Sequence, residues 1–197
     1  MRIIETPVYK FSELSDEAKE KAIEHCRQIN VEDTDWYEFV YEGWYALLKS
    51  YGFTDAKIYF SGFFSQGDGA CFDARIDIKK AFKKYTLKSL LTGNKVKHAR
   101  AIANYIDSYC SARIITVNYH YNHERTRRIE SSIDRDLPRL NVAVEKFFDW
   151  MEEKRLELCR KIYKSLEENY NYLTSDEVVI EAIEANEYEF TSEGKMV

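Results

Sequence analysis

The sequence predicts an α+β fold: a mainly antiparallel sheet with a central β-hairpin, and helices packed on one side. Three observations predict it. Two strand-like segments, 57–64 and 71–78, flank a turn-forming run of Ser65, Gln66, Gly67, Asp68 and Gly69. Apolar residues elsewhere recur at helical spacing, most persistently from Leu140 onward to Leu166. Hydrophobic residues form 45% of the 197-residue chain, with only seven glycines and two prolines, which suffices for one packed domain over 1–197 and leaves no low-complexity stretch.

Ile3, Val8, Tyr9 and Phe11 make the first eleven residues a strand, which Pro7 confines to an edge or a bulge. Ser12 or Ser15 then caps a helix that places Leu14, Ala18, Ala22, Cys26 and Ile29 on one face and ends near Asn30. Asp16, Glu17 and Glu20 crowd its first turn, where the helix dipole favours acids. A second helix starts at Thr34 or Asp35; Trp36, Phe39, Val40, Trp44, Leu47, Leu48 and Tyr51 form its apolar stripe, and Gly52 supplies a left-handed cap. After the hairpin, basic helical material runs to a break at Thr92, Gly93 and Asn94. Val96, Ala99, Ile102, Ala103 and Ile106 mark the next helix.

Ile114, Ile115, Thr116 and Val117, with Tyr119 and Tyr121, make 112–121 a strand, whereas the polar residues 124–136 fit a strand, a turn or a helix start equally. Pro138 suits the first turn of a long helix, 138–169, which either projects from the domain or packs on it as an elaboration. Thr174, Ser175, Asp176 and Glu177 read as the cap and first turn of a short helix through Ile180, Ile183 and Ala185, after which 187–191 close as an edge strand or lie as a tail.

No stretch approaches the ~18 apolar residues of a membrane span, and the start MRIIETPVYKF lacks a signal-peptide pattern, so a cytoplasmic chain without a membrane partner is expected. Cys26, Cys71, Cys110 and Cys159 include no Cys-x-x-Cys pair, which fits reduced thiols, and neither a metal nor a cofactor is expected. The net charge of −5 hides a segregation. Residues 1–56 carry 12 acidic and 6 basic residues, 167–197 carry 9 and 1, and 78–106 carry eight basic residues and no acid.

Four features carry the functional readings. The two glycines of the Ser65, Gln66, Gly67, Asp68 and Gly69 loop leave backbone amides open to an anion, although Asp68-Gly69 also suits a plain turn needing positive φ. His120 and His123 fall on opposite faces of a continuing strand, which opposes joint metal binding, and a Cys71 nucleophile would need His120 or His98 beside it. Lys79, Lys80, Lys83 and Lys84, continuing to Lys88, Lys95, Lys97 and Arg100, stack like charges a turn apart, which calls for an acidic neighbour, a protein partner or nucleic acid, with Tyr85 available for stacking. Glu181, Glu184, Glu187, Glu189 and Glu193 form an acidic stretch dense enough to imitate a phosphate backbone.

Residues 58–72 (IYFSGFFSQGDGACF), 11–19, 172–177 and 186–191 resemble a family of small bacteriophage- and prophage-encoded proteins, some loosely labelled antitoxin-like. The resemblance implies a mobile-element accessory protein that binds and inhibits a host protein without catalysis, a toxin or a defence complex such as a CRISPR effector. It brings no catalytic residues with it. Lys79, Lys80, Lys83, Lys84, Tyr170, Tyr172, Glu181, Glu184 and Glu187 are then the candidate partner-binding residues, aromatics being frequent interface anchors. A small enzyme with an anion site at the 65–69 loop and a nucleic-acid-binding protein using the 79–100 segment are the alternatives. Self-association through the long helix is compatible with all three.

Overall fold

The computed structural model describes residues 7–89 and 93–197, with side chains left undescribed at 87–89 and 93–98. It is α+β, with short antiparallel sheets and a long helix near the C-terminus. The elements follow the order β1 (Tyr9–Lys10), α1 (Asp16–Cys26), α2 (Asp35–Ser50), β2 (Phe53–Ser61), β3 (Gly69–Ile76), α3 (Ile78–Ser89) and α4 (Gly93–Tyr109). They continue with β4 (Cys110–Thr116), β5 (Arg127–Ile133), α5 (Pro138–Leu173), α6 (Asp176–Ala185) and β6 (Glu189–Phe190). The chain gathers into two compact units, Met1–Val40 with Leu166–Val197, and Tyr41–Ser165, the boundaries falling within α2 and α5.

In the first unit, the Ser15 hydroxyl caps α1 by accepting from the Ala18 amide at 3.3 Å. Ala18, Ala22 and Cys26 of α1 are buried with Val179 and Ile183 of α6, and Phe11 meets Phe190 edge-to-face at 6.3 Å. Among the described residues of the first strand, Tyr9 and Lys10 pair with Phe190 and Glu189, and the chain then leaves the extended form in a 3-10 turn over Phe11–Glu13. That turn places Phe11 in the core. Ile3 lies outside the described residues. Gly194, at φ +81°, lies so near α1 that a Cβ there would stand 2.1 Å from the Ala18 carbonyl oxygen.

The second unit is built on two hairpins. β2 pairs with β3 from Phe53↔Ile76 to Ser61↔Gly69, interrupted by a bulge where Asp55 takes φ 51°. Gly52 ends α2 at φ +92°, as expected, with the Asp77 carbonyl oxygen 2.6 Å from the position of a Cβ. Phe53, Ala70, Cys71 and Phe72 are buried, so the apolar run of β3 is covered on both faces. The polar segment 124–136 resolves into a 3-10 turn, Glu124–Thr126, and strand β5, which pairs with β4 from Cys110↔Ile133 to Thr116↔Arg127.

The strand expected over 112–121 stops at Thr116. There the Asn118 side chain accepts from the His120 amide at 2.8 Å, and the Val117 amide turns back to the Thr126 carbonyl at 2.9 Å. Pro138 opens α5 as predicted, but the helix runs on to Leu173. Val144, Phe147 and Met151 of α5 are buried; Phe147 stands 5.2 Å from the Phe82 ring, 5.6 Å from Tyr85 and 5.3 Å from Phe148.

Candidate functional site

The 117–126 loop between β4 and β5 is strapped to the β2–β3 hairpin. The Asn122 amide group donates to the Phe60 carbonyl at 3.2 Å, and its side-chain oxygen accepts a long 3.9 Å contact from the Cys71 thiol. Gly69 lacks a Cβ where one would meet the His123 ring at 2.8 Å, and Gly67 faces the Tyr121 ring. The two hairpin ends therefore form one surface.

Beneath it lies a chain of ion pairs. Arg155 is wholly buried; its guanidinium donates twice to Glu152, at 2.6 and 2.8 Å, and once to the Glu124 carbonyl at 2.9 Å. Glu152 also accepts from the β5 amide of Ile129 at 3.0 Å, so one pair fastens α5 to both the 3-10 turn and a strand. Burial opposes the Arg155 charge, but hydrogen bonding to Glu152 and nearby negative charge outweigh it and raise its pKa. Arg127 is likewise sunk, 2.8 Å from Asp73. The Glu124 carboxylate is shared between His123 Nε2 at 2.9 Å and Arg160 at 3.4 Å.

Above this base the loop tips present aromatic rings: Tyr119 is 86% exposed, Phe64 83% and Tyr121 52%. Arg125, in the turn after Glu124, and Arg128, the second residue of β5, are exposed as well, and neither guanidinium has an ion pair among the described residues.

The loop of Ser65, Gln66, Gly67, Asp68 and Gly69 has its own internal anion. The Asp68 carboxylate accepts from the Phe64 and Ser65 amides at 3.0 and 2.7 Å, so an incoming anion has to displace it. Positive φ falls at Gly67, +99°, and not at Asp68 or Gly69; Gly69 already lies in the β3 ladder. The buried Ser61 hydroxyl next to this loop finds no hydrogen-bond partner among the described residues.

His120 is exposed, and among the described residues no three His, Cys, Asp or Glu side chains converge as metal ligands would. The His98 side chain lies outside the described residues. Burial pushes the Cys71 thiol up, against the pull of Arg127, and pushes Cys159 up to about 12. Both thiols therefore stay protonated near neutrality. The stability their burial lends is complete below the free-thiol range of about 8.5 and is lost as pH climbs toward the raised value. Iodoacetamide at about pH 8 should therefore spare Cys26, Cys71 and Cys159, which are buried, and label half-buried Cys110 first, as read by peptide mass spectrometry. Prompt labelling of Cys159 would contradict this packing.

Part of the basic segment is internally compensated. Lys79 pairs with Asp107 at 2.8 Å, Lys84 lies 4.9 Å from the centre of the Tyr51 ring, and the Lys80 backbone amide donates to the capping Asp77 carboxylate at 3.0 Å. Lys83 is exposed. Tyr85 packs against Phe147 and Trp150, so its ring is engaged in the core of the unit. Lys88, Lys95 and Lys97 have side chains outside those described.

In the first unit, Tyr170 is held within the fold, its hydroxyl 2.9 Å from Gln28 and its ring 5.8 Å from Trp36. Tyr172 is 63% exposed. Glu187 stands 3.8 Å from Lys10. Glu181, Glu184 and Glu189 are exposed with no side-chain hydrogen bond or ion pair among the described residues. A groove of about 210 Å³ beside them is lined by Lys10, Phe11, Ser12, Ile183, Glu184, Glu187 and Tyr188.

A family model described as a domain of unknown function, DUF8835, matches residues 36–176. The chain belongs to the DUF8835 family. The match takes in the whole of the second unit, with both hairpins and the Arg155 network, and reaches Tyr170 and Tyr172. Glu181, Glu184 and Glu187 lie beyond the DUF8835 match. No curated protein and no solved structure matches the chain.

Sequence reasoning missed the 117–128 surface and the buried arginines. The signal for the first was present, since VNYHYNHERTRR holds three Arg, two His, two Tyr and a single Glu.

Proposed function

We propose that this protein acts by occupying a partner protein, without covalent chemistry of its own, and that the partner offers a basic surface to the acidic face of α6. The observation that carries this reading is the unneutralised pair of Glu181 and Glu184 on α6, with Glu189 exposed and unneutralised on β6 just beyond it. Val179 and Ile183 fasten α6 to α1 from the other side, so the carboxylates are held in a fixed array. Fixed like charges repel one another, and an oppositely charged partner relieves that repulsion and gains in encounter rate and selectivity. Tyr172, exposed in the last turn of α5 three residues before the Ser175 cap of α6, supplies an aromatic anchor of the kind that dominates interface energies.

The likeness to phage and prophage accessory proteins supports the same reading. Such proteins inhibit a host target, a toxin or a defence complex, in the bacterial cytoplasm. No helix among the described residues is long and apolar enough to cross a membrane. The engaged states of Cys71, His123, Glu124 and Asp68 favour occupancy over catalysis, because each reactive group already has an internal partner or is buried.

Affinity capture from a bacterial lysate, comparing the native protein with a Glu181→Lys/Glu184→Lys/Glu187→Lys variant, tests this reading. One stoichiometric protein should be retained by the native chain and lost by the variant. Identical captures by the two proteins would refute the acidic face as the docking surface.

A further inference from the structure

We propose a second binding site, independent of the acidic face: the joined hairpin ends of the second unit bind single-stranded nucleic acid. The site pairs exposed Tyr119, Tyr121 and Phe64 with the guanidinium groups of Arg125 and Arg128. Aromatic faces accept any unstacked base, and cations beside them take the connecting phosphates, which is the chemistry of sequence-tolerant single-strand recognition.

Charge complementarity selects this occupant. Glu124, the only acid in 117–128, has its carboxylate held by His123 and Arg160 and largely buried, so the exposed charge of this loop is positive, while Asp68 of the facing hairpin end has its carboxylate turned onto the Phe64 and Ser65 amides. An apolar protein surface would gain nothing from Arg125 and Arg128, whereas a duplex would leave the three rings without bases to stack on. The support is rigid: Asn122 to Phe60, Arg127 to Asp73 and Arg155 to the Glu124 carbonyl hold the loop against the hairpin. The rings are thus presented with little ordering cost on binding. The basic segment around Lys79, which charge counting alone singles out, has its Lys79 ammonium and Tyr85 ring already engaged.

The test is fluorescence anisotropy of the full chain with labelled oligothymidylate of about 20 nucleotides in about 50 mM salt, set against a duplex of equal length. The site predicts preference for the single strand and affinity falling steeply with salt. Tyr119→Ala/Tyr121→Ala and Arg125→Ala/Arg128→Ala should each weaken binding about tenfold or more. Thermal unfolding should leave both variants native-like, since the altered side chains are exposed. Absence of oligothymidylate binding, equal binding of the duplex, or binding untouched by the tyrosine pair would overturn the proposal. So would saturable binding of an acidic peptide in competition with the oligonucleotide, which would make the surface a protein site, or self-association that buries the tyrosines. Because Glu181, Glu184 and Glu187 are unaltered in these variants, failure here leaves the protein-occupancy reading to stand or fall by its own experiment.

Discussion

Replacing Glu152 by alanine should destabilise the second unit by about 3 kcal/mol or more, as expected when the partner of a buried charge is removed. Arg155→Ala should cost less, because the Glu152 side chain it leaves is 32% exposed to solvent. Glu152→Ala strands a fully buried guanidinium and releases the Ile129 amide of β5; Arg155→Ala strands the Glu124 carbonyl and the Glu152 carboxylate. The double replacement Glu152→Leu/Arg155→Met keeps the volume and removes both charges, so its cost should be smaller than the sum of the two alanine variants. Urea unfolding measures all three. Single variants that each cost under about 1 kcal/mol would mean that the pair behaves like a solvent-exposed one and does not fasten α5 to the hairpin.

Phe147→Ala should cost about 3–5 kcal/mol, the range for truncating a fully buried phenylalanine that the surroundings only partly refill. Phe82, Tyr85, Phe148 and Trp150 all lie within ring-contact distance of Phe147 on α3 and α5, so the truncation removes contacts to all four rings. Phe39 is the natural control. It is 77% exposed on α2, and Phe39→Ala should change stability by less than about 0.5 kcal/mol. Equal effects of the two substitutions in thermal unfolding would contradict the assignment of the core.

How far the fold could be read beforehand depended on whether its causes were local. The α5 helix was legible because its apolar spacing runs unbroken from Leu140 and Pro138 marks its first turn. Gly52 announced the end of α2 because only a residue without a Cβ fits beside Asp77 at positive φ. β5 was illegible for the opposite reason. Arg127, Arg128, Glu130, Ser131 and Ser132 carry no strand signal, and the segment is a strand because β4 pairs with one edge while Glu152 caps the amide of Ile129.

The end of β4 was overrun because Val117, Tyr119 and Tyr121 favour extended backbone, and only the local bond from Asn118 to the His120 amide turns the chain aside. The candidate sites divide similarly. The acidic face of α6 was visible in composition, since a helical period places Val179 and Ile183 opposite the glutamates. Glu152 and Arg155, three residues apart, look in sequence like a surface helix pair; burial by distant elements gives them their role. Lys79 and Lys84 looked free in sequence because Asp107 and Tyr51, which engage them, lie 28 and 33 residues away.

The occupancy of a partner at the acidic face is most directly tested by photo-crosslinking in bacterial cells, with a photoreactive phenylalanine analogue placed at Glu184 and, separately, at the exposed control position Phe39. The account predicts one protein adduct that forms from position 184, not from position 39, and disappears when Glu181 and Glu187 are changed to lysine. Adducts indistinguishable between the two positions, or an adduct at 184 indifferent to those charge reversals, would contradict it.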